Sequence, residues 1–189
     1  HVNSVSRPVE PDDVMPFHER VTAGRGIPIV RLAEVGTHYL TTGEDSPINA
    51  QNRQLLAAIS EKLASRDLNL PIYLGNRNSN PFFADTIYQM HSAGHRRVLA
   101  LATSAYSSYS GCRQYRENLA QALAENGLTD SMTIDKVRHY VDQPGFVEPF
   151  AEGLVSAIRT MESEGLGAAD IHVLFSTHSI PTSMAETSG

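Results

Sequence analysis

The chain has 189 residues, of which 41% are hydrophobic and 19% charged, and its net charge is −6 at pH 7. This composition is typical of globular proteins, and the negative net charge argues against a broad nucleic-acid-binding surface. Since no apolar run approaches the roughly 20 residues that a membrane-spanning helix requires, we expect no transmembrane segment.

Cys112 is the single cysteine, so an intrachain disulfide is excluded and a reducing, cytoplasmic location is expected. The chain begins with His1 instead of methionine, shows no signal-peptide pattern and ends in the sequence MAETSG. We therefore expect that both ends have been cut from a longer protein.

Helix and strand patterns alternate along the chain. Apolar spacing, together with proline or acidic starts and glycine ends in several segments, predicts six helices. These helices span residues 11–24, 28–40, 49–66, 81–94, 112–127 and 146–165. Short apolar runs between them predict strands at residues 2–5, 70–76, 96–104, 133–140 and 171–176. The run at 96–104 is of the kind that a parallel sheet buries on both faces.

The order of these elements predicts an α/β protein with a doubly wound parallel sheet and right-handed crossovers. Turn-forming residues at 142–145 mark the start of a second α/β unit, so the expected domains are 1–141 and the beginning of a similar one at 142–189. Ligands of such folds bind beyond the carboxyl ends of the strands. Three of these ends carry polar and aromatic residues, at 75–81, 103–112 and 176–181.

His178 follows the last predicted strand and is the sharpest candidate for a reactive group. Its imidazole titrates near neutrality, so it could accept a proton or, when neutral, bind a metal ion. A histidine that caps the next helix or bonds to a loop carbonyl would occupy the same position. Both interpretations stay open on position alone.

The other two strand ends offer further candidates. Arg77 has the planar donor fork that suits a ligand carboxylate, but a solvated loop arginine is an equal alternative. Tyr106 and Tyr109 could stack on a flat ligand or pack on the end of the sheet. Cys112 could be a metal ligand or a small buried residue.

The glycine fingerprints of nucleotide-binding proteins, G-x-G-x-x-G and G-x-x-x-x-G-K-[ST], are absent from the sequence. A nucleotide-binding α/β protein of another class is therefore weakly supported. The sequence also lacks the G-x-S-x-G motif that frames a serine nucleophile.

Seven stretches of the chain resemble ferrochelatases of the actinobacterial type, in family order and spacing. They read DVMPF, GRGIP, SPINAQN, LPIYLGNRN, TSAYSSYSGCRQYREN, PGFVEP and THSIPTSMAETSG. The resemblance extends from about residue 11 to residue 189. It implies a Rossmann-like, chelatase-like fold and the insertion of ferrous iron into a porphyrin between two similar domains.

The resemblance implies roles for residues at matching positions. His178 matches the histidine that binds the incoming Fe²⁺ or accepts a pyrrole proton. Arg77 would hold a porphyrin propionate. Ser46, Tyr106 and Tyr109 would line the pocket of the macrocycle.

Cys112 matches the first of four cysteine ligands that hold a [2Fe–2S] cluster in actinobacterial members. The resemblance places the other three ligands, and the catalytic glutamate that faces the histidine, in a second half beyond residue 189. The chain is thus expected to be a fragment that has little activity alone.

The expected function is the insertion of Fe²⁺, as a substrate, into coproporphyrin III or protoporphyrin IX during heme biosynthesis. Coproporphyrin III, which would give coproheme, is favoured by the resemblance. The porphyrin is the expected partner, and a monomer without a nucleic-acid partner is expected. The alternative is a non-catalytic tetrapyrrole-binding module of the same fold.

Overall fold

A computed structural model of the chain describes residues 11–23, 26–41, 48–177 and 179–188. The predicted strand at 2–5 lies outside these residues. Within the described part, no helix combines the length and apolarity that crossing a lipid bilayer requires.

The described structure contains seven α-helices and two short strands, which form one small parallel sheet. The helices are α1 (Val14–Thr22, after a 3₁₀ turn at Pro11–Asp13), α2 (Ile29–Thr41), α3 (Ile48–Ala64), α4 (Phe83–Ser92), α5 (Gln114–Glu125), α6 (Pro144–Ser163) and α7 (Thr182–Glu186). The strands are β1 (Arg97–Ala100) and β2 (Thr133–Lys136). All six predicted helices are confirmed as α1 to α6, with ends shifted by a few residues.

The chain divides into two compact units that are interleaved in sequence. The first unit comprises Val2–Ala100 and Arg116–Asp135, and the second comprises Leu101–Tyr115 and Lys136–Gly189. The domain boundary at residues 141 and 142 stays a prediction.

The core of the first unit lies between α4, α5 and one face of the sheet. Ile87 and Met90 of α4 pack with Ala122 of α5 and with the buried residues Leu128 and Met132. Val98 of β1 and Ile134 of β2 pack against this cluster from the sheet. This apolar contact fixes α5, and with it the polar residues on the exposed side of that helix.

The expectation that β1 is buried on both faces is wrong for the described residues. Val98 points to the core, but Leu99 on the other face is 69% exposed. The strand is also shorter than predicted, because its ladder with β2 extends only over Arg97–Ala100.

The predicted strands at 70–76 and 171–176 are also wrong, since the described residues form no ladder there. Asn76 bonds instead to the turn that follows it: its N–H donates to Pro81 O over 2.7 Å, and its carbonyl accepts from Phe83 N over 3.1 Å. Leu174 and Phe175 are 90% and 86% exposed. A strand requires a neighbour for its backbone hydrogen bonds, and an apolar sequence run does not supply one.

Candidate functional site

The structure distributes the predicted site residues over both units. Arg77 belongs to the first unit, whereas Tyr106, Tyr109 and Cys112 belong to the second. The predicted residues Ser46 and His178 lie outside the described residues.

Arg77 lies in the loop between Leu74 and α4, and its position is determined by a hydrogen bond to α5. Its Nε–H donates to Asn118 Oδ1 over 2.8 Å, and both side chains are half-buried. A bond through Nε restricts rotation of the guanidinium plane. The arginine is therefore held by the core unit, not fully solvated as the alternative interpretation proposed.

The loop itself is held by local polar contacts. Asn76 donates from Nδ2 to Asn80 O over 3.0 Å, and Thr86 donates from Oγ1 to Leu74 O over 3.0 Å. A Cβ atom on Gly75 would lie 2.9 Å from Cδ1 of Phe83, which is closer than real Cβ contacts. Glycine thus lets the backbone approach α4, and this close approach sets the direction of the loop toward Arg77.

Arg20 of α1 supports the same loop from another side. Its Nε–H donates to Asn78 O over 3.0 Å, and its guanidinium lies 5.3 Å from the centre of the Phe82 ring. A cation above an aromatic face at this distance is attracted by the quadrupole of the ring. Helix α1 therefore contributes to the conformation of the loop that carries Arg77.

Nδ2 of Asn78 and Oγ of Ser79 are buried polar atoms of this loop that have no hydrogen-bond partner among the described residues. The two residues are 6% and 7% exposed. Buried donors are normally satisfied, and an exception often marks a place for water or a ligand. Sequence reasoning assigned no unpartnered polar atom to either residue, although both follow Arg77 directly in the same polar stretch.

A cleft of about 210 Å³ opens between α3 and this loop. It is lined by Asn49, Asn52, Arg53, Leu74, Asn76, Asn80 and Pro81. Arg53 contributes a positive charge and none of these lining residues is acidic, so the cleft is electrostatically suited to an anionic group.

In the second unit, Tyr106 is part of a cluster of aromatic rings. The ring of Phe146, on the first turn of α6, lies 6.0 Å from that of Tyr106 and 5.6 Å from that of Tyr140, both nearly edge-on. Phe150 lies 5.3 Å from Phe146. Tyr140 donates to Ala102 O over 3.4 Å, and burial raises the pKa of its phenol.

Tyr109 begins a five-residue π-helical turn, Tyr109–Arg113, that leads into α5. Ser108 caps the turn, because its Oγ accepts from Gly111 N over 2.9 Å. A Cβ atom on Gly111 would lie 2.6 Å from Ser104 Oγ, so only glycine fits at this position. Helix α7, which begins four residues after His178, contacts this turn.

Cys112 is buried in the same turn and is 6% exposed. No group of three or more histidine, cysteine or acidic side chains that could hold a metal ion occurs among the residues that the structure describes.

The sequence profile of the ferrochelatase family matches residues 4–189. The chain belongs to the ferrochelatase family. The resemblance expected from the seven motifs is thereby confirmed, and the Rossmann-like fold of ferrochelatases is consistent with the helix-rich structure and its small parallel sheet.

Curated ferrochelatases of several bacteria are similar to nearly the whole chain. Coproporphyrin III ferrochelatase of Streptomyces coelicolor is 54% identical over 98% of this chain and 50% of its own length. The corresponding protein of Mycolicibacterium smegmatis is 45% identical over 98% of this chain and 54% of its own. A ferrochelatase of Rhodopirellula baltica is 46% identical over 97% of this chain and 51% of its own length. The chain thus spans about half the length of these relatives.

Proposed function

We propose that the protein inserts Fe²⁺ into coproporphyrin III to give coproheme, as a step of heme biosynthesis. The observation that carries this proposal is the 54% identity to a coproporphyrin III ferrochelatase over 98% of the chain. The proposed fold of the whole protein is two Rossmann-like domains, of which residues 142–189 begin the second.

The chemistry of metal insertion into a porphyrin defines the role that we propose for His178. A free porphyrin binds Fe²⁺ by releasing two pyrrole protons, so a base beside the macrocycle accelerates the exchange. A neutral imidazole can accept such a proton or bind the arriving Fe²⁺. We propose this role for His178, with an opposing carboxylate supplied from outside these 189 residues.

The porphyrin is a flat apolar disc with carboxylates at its edge, and such a ligand requires apolar walls and a few cationic anchors. We propose that Arg77 and Ser46 bind propionates and that Tyr106 and Tyr109 contact the macrocycle. Support comes from the 63% exposure of Tyr106 and from the hydrogen bond that orients Arg77.

We further propose that Cys112 supplies one ligand of a [2Fe–2S] cluster in the full-length protein. A cluster of this kind is held by four such ligands, and this chain contains one cysteine. The residues of the chain by themselves therefore do not fit a cluster. We also propose that the protein is located in the cytoplasm, which its single cysteine supports. We propose that it is a monomer.

The shift of the Soret band on metallation tests the function. Full-length protein with Fe²⁺ should convert coproporphyrin III faster than protoporphyrin IX, and His178→Ala should abolish turnover. His172→Ala is the matched control, since His172 is exposed and lies in the same segment. The 189-residue chain alone should show little or no turnover.

Two results would contradict the proposal. Turnover by the 189-residue chain that persists in His178→Ala would refute both the role of His178 and the need for an opposing carboxylate. Tight binding of porphyrin by the full-length protein without insertion of Fe²⁺ would indicate a tetrapyrrole-binding module instead.

A further inference from the structure

Phe146 is the centre of the aromatic cluster in the second unit. Its ring contacts those of Tyr106, Tyr140 and Phe150 at centroid distances of 6.0, 5.6 and 5.3 Å. Phe146 is half-buried, whereas Tyr106 and Phe150 are 63% and 69% exposed. The cluster therefore has a supported centre and exposed rings on its outside.

The loop that carries Tyr106 is attached to this centre at two points. Tyr140 donates its hydroxyl to the backbone carbonyl of Ala102, four residues before Tyr106. Phe146 contacts the Tyr106 ring itself, in a nearly perpendicular arrangement with an interplanar angle of 79°. Edge-to-face contacts of this kind are favourable and depend on geometry, so they select one orientation of a ring.

An exposed tyrosine without such a contact would sample several rotamers and would lose that freedom when a ligand binds. Phe146 restricts the Tyr106 ring before the ligand binds, so less rotamer freedom is lost on binding. It contacts one side of the ring and leaves the remaining surface of the ring accessible. Two residues support the ring, Tyr140 and Phe146, and the sequence predicted them only as the end of a strand and the start of a helix.

We propose that Phe146 is a positioning residue for the porphyrin, which acts by holding the Tyr106 ring in the orientation that contacts the macrocycle. This inference rests on the proposed function, and specifically on the contact between Tyr106 and the porphyrin. The proposal assigns the contact with the porphyrin to Tyr106 and the support of that ring to Phe146.

A double-mutant cycle in the full-length protein separates positioning from a structural role. The affinity for metal-free coproporphyrin III is measured by fluorescence quenching for wild type, Phe146→Leu, Tyr106→Leu and the double variant. Phe146→Leu should weaken binding roughly two- to tenfold, the range that corresponds to the freedom of one side chain. In the Tyr106→Leu background, the same substitution should have no further effect.

Phe150→Leu is the matched control, because Phe150 contacts Phe146 while the Tyr106–Phe146 contact stays in place. It should change the affinity by less than about twofold. Phe146→Tyr keeps a ring at this position and should retain near-wild-type affinity. If Phe146→Leu does not fold, Phe146→Met fills the same space without a ring and should show the same loss.

Equal losses from Phe146→Leu in both backgrounds, or an equal loss from Phe150→Leu, would overturn the inference and leave the proposed function intact. Wild-type protein that binds no coproporphyrin III would overturn the proposed function and this inference with it.

Discussion

At the scale of single residues, Arg77 acquires a partner that lies 41 positions away in the sequence. Asn118 belongs to the stretch TSAYSSYSGCRQYREN, which identified the family but carried no structural assignment for that asparagine. The hydrogen bond joins the Arg77 loop to α5, whose apolar side is fixed in the core. A residue on a packed helix thereby orients a side chain on a loop.

Replacement of Asn118 by alanine should therefore destabilise the first unit. The change removes the acceptor of a charged, half-buried donor, which costs about 1–2 kcal/mol in the free energy of unfolding. Denaturant unfolding of the full-length protein measures this effect. Gln121→Ala is the control, because Gln121 lies on the same helix and bonds to Glu125 on the exposed surface. A loss from Asn118→Ala no larger than that from Gln121→Ala would contradict the structural role of this bond.

His18 is buried on α1, and burial lowers its pKa. In the unfolded chain the imidazole binds a proton near its ordinary pKa of 6.5, but in the folded chain it does so only at lower pH. The unfolded state thus binds more protons in this window, and stability must fall as the pH falls below 6.5.

His18→Gln should remove this part of the pH dependence, since glutamine does not titrate. Unfolding free energies measured at a series of pH values below 6.5 should decrease less steeply for the variant than for wild type. His172→Gln, at an exposed histidine, is the comparison variant. An unchanged slope in His18→Gln would show that another group causes the acid sensitivity.

At the scale of elements, the turn Tyr109–Arg113 requires its glycine, Gly111, whereas helix α6 does not require Gly153. A Cβ atom on Gly111 would meet Ser104 Oγ at 2.6 Å, Ser108 Oγ at 2.9 Å and the carbonyl oxygen of Tyr106 at 3.1 Å. A Cβ atom on Gly153 would meet nothing within 4 Å. Substitution of these two glycines by alanine should therefore change the free energy of unfolding in opposite directions.

Gly111→Ala should lower the free energy of unfolding by about 1–3 kcal/mol, because the turn or the two serines must move to accommodate the methyl group. Gly153→Ala should raise it by about 0.5–1 kcal/mol, since alanine in a helix interior loses less backbone entropy than glycine. Thermal melts of the two variants check both signs, and stabilisation by Gly111→Ala would refute the packing described around this turn.

At the scale of the whole molecule, several large apolar side chains among the described residues of the second unit are exposed. Phe150 of α6, Leu174 and Phe175 are 69%, 90% and 86% exposed. Exposed apolar surface promotes association in water. The relatives that this chain matches are about twice as long, so their remaining half offers surface that this chain by itself does not contain.

The 189-residue chain produced alone should therefore self-associate as its concentration rises. The double substitution Leu174→Lys and Phe175→Glu should reduce that association, because each change replaces an exposed apolar side chain by a charge. Sedimentation velocity over a concentration series measures the effect. Glu164→Lys, at an exposed polar position, is the control. Association that is equal in the control and the double variant would exclude this surface as its cause.

The sequence by itself determined the six main helices, because their apolar spacing and end signals are local properties that neighbouring residues express in any context. It also determined the family, since each of the seven motifs is an unbroken stretch of sequence. The strands at 133–136 and 97–100 were predicted in place but too long, and those at 70–76 and 171–176 were wrong. A strand depends on partners that are distant in sequence, which no local pattern specifies.

The candidate site, like the fold, was determined partly by the sequence and partly by the tertiary structure. Arg77, Tyr106, Tyr109 and Cys112 were selected from their sequence positions, whereas the assigned roles of Ser46 and His178 stay predictions outside the described residues. Only the tertiary structure decided that Asn118 holds Arg77 and that Phe146 holds Tyr106. These pairs are 41 and 40 residues apart in the chain, and packing of the elements brings them together. A side chain's chemistry is local, but its orientation is determined by whatever the fold places beside it.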